Sequence, residues 1–182
     1  MDIVKIEKER EYKRTIDVFT KKMLFFNVEA INKRESIHYL KFDYVTLEDI
    51  GGVMREASLL GLEVGVSRGY YEIEYICFYM SQKINITKMD YNINYVESCI
   101  KLVDDIFDSN NIATYYEKVK FETFCIKKAL YFIDKEADKN LYAYKVGENT
   151  YILFNKKNKI SGVLWKDLNE EELNICKSKF LI

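Results

Sequence analysis

Proline is absent from all 182 residues, where ordinary usage of ~5% would place about nine. Lys outnumbers Arg by 23 to 5, and Ile, Asn and Tyr are abundant. These residue types share A/T-rich codons while proline uses C-rich ones, so the composition points to a low-GC microbial, phage or viral genome rather than to a functional constraint. Histidine occurs once, as His38, which removes most nucleophile–histidine arrangements unless His38 is itself the base. No apolar run approaches the roughly 18 residues of a membrane span, and the opening MDIVKIEKEREYKR is charged where a signal peptide needs an apolar stretch. A cytoplasmic protein is expected.

Chemical signatures are equally sparse. There is no G-x-S-x-G elbow, Walker loop, G-x-G-x-x-G fingerprint or metal-ligand spacing. Gly51-Gly52 lacks the Lys-Ser/Thr that a phosphate loop requires, and it is read as a close-packing point within a helix that follows Thr46. Cys77, Cys99, Cys125 and Cys176 form no C-x-x-C pair and lie among apolar neighbours, the setting of small buried hydrophobes in a reducing compartment. No cofactor and no metal are expected.

What is present is a strongly patterned chain, 48% apolar and 15% aromatic, long enough to bury a core without disulfide or metal staples. The spacing predicts a single α+β domain, with N-terminal and central helices packed on antiparallel strands. Residues 1–36 read as largely helical, with Ile16, Phe19, Met23 and Phe26 at steps of three and four. Residues 37–80 read as strand–helix–strand–strand, the helix running from Thr46 to about Leu60. Residues 90–136 read as two helices, one with an Ile93, Val96, Ile100, Val103, Phe107 stripe and one opened by the capping pattern Thr114-Tyr115-Tyr116-Glu117. Residues 141–165 (LYAYKV, TYILF, ISGVLW) read as a three-stranded meander, and 168–181 as a closing helix.

Leu60–Tyr71, LGLEVGVSRGYY, resembles the turn of tetracycline-repressor-type regulators over twelve residues, a likeness that implies a DNA-binding helix-turn-helix. Three features oppose it. Glu72 and Glu74 would face DNA phosphates, the surrounding region is the most acidic of the chain, and Tyr70–Met80 alternates like a strand. The segment is therefore read as two strands, Leu62–Val66 and Tyr70–Met80, joined through Ser67-Arg68-Gly69.

The net charge of −1 hides a partition. Residues 1–47 carry ten bases and eight acids, residues 48–110 five and eleven, and residues 111–182 thirteen and ten. An acidic middle would attract a cationic protein. Glu72, Glu74, Glu97, Asp104, Asp105 and Asp108 are the candidate contacts, weighed against a simple solvated helix face. The reading that follows is a protein-binding inhibitor, for example an immunity-type protein that neutralises a basic, nuclease-like toxin. A viral or phage host-interaction protein, a helix-turn-helix regulator and a small-molecule enzyme without a recognisable motif are the alternatives.

Overall fold

The first expected helix is a set of strands. A computed structural model describes residues 1–7, 10–20, 23–50, 53–80, 89–108 and 114–180. In it, residues 1–36 hold β1 (Asp2–Ile6), β2 (Tyr12–Thr20) and β3 (Met23–Ala30). The expected helix after Thr46 is replaced by a long hairpin of β4 (Ile37–Ile50) and β5 (Val53–Ser67), paired from Ile37 opposite Ser67 to Ile50 opposite Val53 with one shift of register between Thr46 and Leu47. Gly51 and Gly52 lie outside the described residues.

β6 (Ile73–Met80) follows β5 as the strand–turn–strand reading of 62–80 had it, so LGLEVGVSRGYY enters no recognition helix. Gly69, at φ +68°, takes the left-handed conformation that the turn needs. The two central helices are also strands: β7 (Asn92–Val103) with a 3-10 turn at Asp105–Asp108, then β8 (Thr114–Lys118), β9 (Phe121–Ile126) and β10 (Ala129–Asp134).

The last quarter also keeps its expected form. β11 (Asn140–Gly147), β12 (Thr150–Phe154) and β13 (Ile160–Trp165) make the antiparallel meander, and α1 (Glu170–Phe180) closes the chain. α1 opens on a reciprocal cap: Asn169 Oδ1 accepts from the Glu172 amide at 2.9 Å, and Glu172 Oε2 accepts from the Asn169 amide at 2.9 Å. The α+β expectation thus gives way to a β architecture of two mixed sheets. The reason is composition: Ile, Val, Tyr, Phe and Thr suit a pleated, packed surface, and their apolar spacing fits two buried faces as well as one helical stripe.

The sheets run β1-β7-β11-β12-β13-β10-β9 and β2-β3-β6-β5-β4-β8. Each has one parallel contact, β7 with β11 and β4 with β8. They pack face to face around an aromatic centre, in which Phe26 and Phe78 of the six-stranded sheet meet the Trp165 edge at 5.4 Å each. A second, smaller apolar layer lies on the outer side of the seven-stranded sheet, where Leu141, Leu153 and Leu164 are buried against half-buried Tyr91 and Tyr131. α1 is tied to β2 through Arg14, whose guanidinium donates to Glu172 at 2.7 and 2.9 Å and to the Lys166 carbonyl at 2.9 Å while lying over the Trp165 ring.

Candidate binding face

Along β6 the buried inner residues Ile76, Phe78 and Met80 alternate with half-buried Tyr75, Cys77 and Tyr79. Alternation turns these three outward, away from the partner sheet. Directly across on β5, Tyr75 faces Gly65 and Tyr79 faces Gly61. A Cβ at Gly61 would overlap the far end of the Tyr79 ring, and one at Gly65 the near edge of the Tyr75 ring. Both rings therefore lie over bare backbone, and the Lys33 ammonium stands over the Tyr75 ring at 5.3 Å. Glycine in a central strand weakens the strand, so two such positions, each under a tyrosine, mark a deliberate close approach.

Neighbouring strands extend this surface. Tyr39 on β4 lies 6.2 Å from Tyr75, and Phe25 on β3 lies 5.7 Å from Tyr79. Between the two seated rings, β5 presents Glu63, which accepts from the Tyr75 hydroxyl and pairs with Lys41 Nζ at 2.9 Å. Asp43 accepts from the hydroxyls of Tyr79 and Tyr116. Burial, then the Glu63 bond, raises the Tyr75 pKa, and burial beside Asp43 and Glu63 raises that of Tyr79. Both phenols stay protonated across the physiological range and act as donors. Cys77, between them, has its thiol pushed up to about 12 by burial and Glu63, so it is not a thiolate nucleophile at neutral pH.

Replacing Gly61 with alanine forces the Tyr79 ring off the strand. The expected outcome is a loss of about 1–3 kcal/mol in urea unfolding, with faster nitration of Tyr79 than in the parent protein.

The acids singled out by the charge map separate into three places. Glu72 and Glu74 sit at the start of β6 in an ion-pair clasp. The Glu74 side chain is 0% exposed, and its oxygens accept from Arg10 at 2.9 and 3.1 Å and from the Arg34 amide at 3.0 Å and guanidinium at 2.8 Å. Glu72 takes Arg34 at 2.6 Å, Arg10 at 3.3 Å and Lys101 of β7 at 3.5 Å. Burial alone would raise both carboxyl pKa values, but the Arg10 and Arg34 bonds bring them below the ordinary glutamate value. The clasp borders an open recess of about 740 Å³ whose walls include Glu7 and Glu11 as well as Arg10, Arg34 and Lys101.

Asp104, Asp105 and Asp108 come together on the 3-10 turn. Asp104 accepts from the Ile106 amide at 3.2 Å and pairs with the N-terminal ammonium at 3.3 Å, and Asp108 accepts from the Tyr71 hydroxyl. Asp105 is exposed there without such a bond among the described contacts. Glu97 is exposed on β7, seven residues before Asp104 in a largely extended chain, and so stands about 20 Å away. There is accordingly no single acidic helix face, because there is no helix to carry it.

His38 is buried against Phe107, and burial together with Arg68 lowers its pKa, so its ring is neutral at physiological pH. None of the four cysteines is in a disulfide; Cys99 and Cys176 are buried and the other two half-buried. Among the described residues no group of three or more His, Cys, Asp or Glu side chains is placed to hold a metal ion, and no helix is long and apolar enough to cross a membrane.

The tyrosine face was missed at the level of sequence. Its signal was available in the equal four-residue spacings of Gly61 and Gly65 on one strand of a hairpin and Tyr75 and Tyr79 on the other. No protein-family model and no curated protein matches this chain.

Proposed function

We propose that this chain is a binding protein whose ligand lies across the outer face of the six-stranded sheet. One observation carries the reading: Tyr75 and Tyr79 are seated flat over Gly65 and Gly61, with Glu63 and Asp43 beside them. Tyrosine offers a large, rigid, amphipathic contact at low entropic cost, and the β4–β5–β6 ladder fixes the rings before any ligand arrives. Four cysteines without a disulfide among them support a cytoplasmic location.

The test uses the immobilised full-length chain and an extract of the cells that make it. The wild-type chain retains a ligand, and a Tyr75→Ala/Tyr79→Ala variant retains roughly a tenth as much or less. Equal retention by both proteins rules the face out.

A second reading keeps the cationic protein partner, and with it an inhibitor or immunity-type role, at the Asp105–Asp108 turn. It is supported by Asp105, exposed on a turn that it shares with Asp104 and Asp108. Asp105→Lys is then expected to slow association with the partner several-fold at low salt while leaving thermal stability unchanged. An unchanged association rate removes this reading.

A further inference from the structure

Resting on the binding role proposed above, we infer that the ligand of the tyrosine face is an uncharged, linear glycan. The geometry is that of a platform rather than a pocket. Tyr75 and Tyr79 are four residues apart on one strand, which sets the two seated rings ~13 Å apart along β6, and Glu63 and Cys77 lie between them. Ring, carboxylate and ring thus follow one another in a line that several consecutive sugar units span.

Each part suits that chemistry. The solvent-facing side of a tyrosine ring carries the negative end of its quadrupole. The C–H-bearing face of a pyranose is apolar and slightly positive, so it stacks there without needing a charge. Sugar hydroxyls both donate and accept. Glu63 and Asp43 offer acceptor oxygens, while the Lys41 ammonium, 2.9 Å from Glu63, offers a donor at the same spot. A flat, preorganised aromatic surface flanked by alternating acceptor and donor groups matches a polyhydroxylated chain along its length.

Charge decides against the other extended polymers. Strand alternation places Lys13 and Asp17 of β2, Glu29 of β3, Lys41 and Asp43 of β4, Glu63 of β5 and Lys118 of β8 on this face, and Lys33 reaches over the Tyr75 ring at 5.3 Å. Among the described side chains of this face, four carboxylates and four ammonium groups balance. A nucleic acid needs a concentrated basic surface, which four interleaved acids deny. A basic peptide needs net negative charge, and the chain's own Lys33 and Lys41 already stand over the Tyr75 and Tyr39 rings that its side chains would use. An uncharged sugar is not repelled by these ammonium groups, which turn to its hydroxyls as donors.

The experiment is affinity electrophoresis of the full-length chain through gels containing soluble amylose, mixed-linkage β-glucan or galactomannan, with a lysine-rich peptide tested separately by titration. Retardation by at least one glycan is expected, with a loss of roughly tenfold in Tyr79→Ala and little change in Tyr79→Phe, which keeps the ring. If Tyr79→Ala does not fold, Glu63→Gln removes the central charge without opening a gap, and a several-fold weakening is expected from it. Migration unaffected by all three glycans overturns the inference, as does glycan binding indifferent to these variants or binding of the lysine-rich peptide to the face in their place. Failure here is distinct from failure of the binding role. If the extract ligand is lost on substitution of Tyr75 and Tyr79 yet is a protein that survives periodate, the face stands and the glycan falls. If its retention ignores those substitutions, the face itself falls.

Discussion

Glu74→Ala is expected to destabilise the protein by about 3–5 kcal/mol, because it removes the fully buried carboxylate that Arg10 and Arg34 share and leaves them only the more exposed Glu72. In a chain of this length that corresponds to a fall of roughly 10 °C in thermal midpoint. Arg10 and Arg34 reach Glu74 from the segment before β2 and from the β3–β4 connection, so the clasp joins three pieces of chain at one corner. At the same corner the Leu102 amide of β7 donates to the Tyr71 carbonyl at 2.9 Å, linking the two sheets. An unchanged midpoint would reduce the clasp to surface decoration.

The same clasp fixes a direction in pH. Glu72 and Glu74 have folded pKa values below the ordinary 4.5, so the unfolded chain binds protons first as the solution is acidified. Their contribution is fully present above pH 4.5 and is lost as the pH falls through the folded values. The guanidinium partners stay charged throughout. Urea midpoints measured from pH 6 downward should therefore drop more steeply below about pH 4.5 in the wild-type chain than in Glu74→Ala. Parallel slopes would place the acid sensitivity elsewhere.

Phe78→Ala should cost a similar amount, about 3–5 kcal/mol, through lost burial and the cavity left behind. Phe78 is fully buried and stacks on Phe26 at 4.5 Å and Phe132 at 5.1 Å, with the Trp165 edge at 5.4 Å. With Phe26 it joins the two sheets through aromatic rings, so its removal empties the middle of the sandwich instead of one margin. Phe78→Leu, which keeps most of the volume, should cost less than about half as much. Equal losses in the two variants would mean that ring geometry, and not filled space, holds the sheets together.

The parts of the fold legible in the sequence were those whose partners are near in the chain. The 141–165 meander is joined by Gly-Glu-Asn and Asn-Lys-Lys-Asn-Lys turns, and each strand pairs with its neighbour. The helix readings failed where burial switches faces along one strand. On β7, Ile93 packs on the outer layer while Ile100 and Leu102 enter the inter-sheet core. Its ladder with β11 also slips, Tyr144 facing Val96 and the next residue, Lys145, facing Cys99. The apolar residues then fall at steps of three and four without any helical turn. Thr114-Tyr115-Tyr116-Glu117, a capping pattern on paper, is strand β8, and its Glu117 pairs with Lys159.

The acids of the charge map do not gather on one surface, for a related reason. Acids concentrated between residues 48 and 110 find bases from both flanks: Arg10 and Arg34 before them, and Lys139, 3.9 Å from Asp90, after them. A partition along the chain largely cancels once distant segments pair. The tyrosine face was hidden by the same long reach, since its rings and glycines belong to different strands and acquire meaning only in register.

The order in which strands leave the ribosome differs from the order in which they pair. β2 to β6 close upon one another within residues 12–80, so most of the six-stranded sheet can assemble while the chain is still being made. β1 cannot: its register sets Asp2 against Val103, and it waits as an unpaired edge until β7 has emerged. β1 thus precedes β2 in the chain yet is sealed after it, and a chain stalled before β7 leaves β1 as a sticky edge.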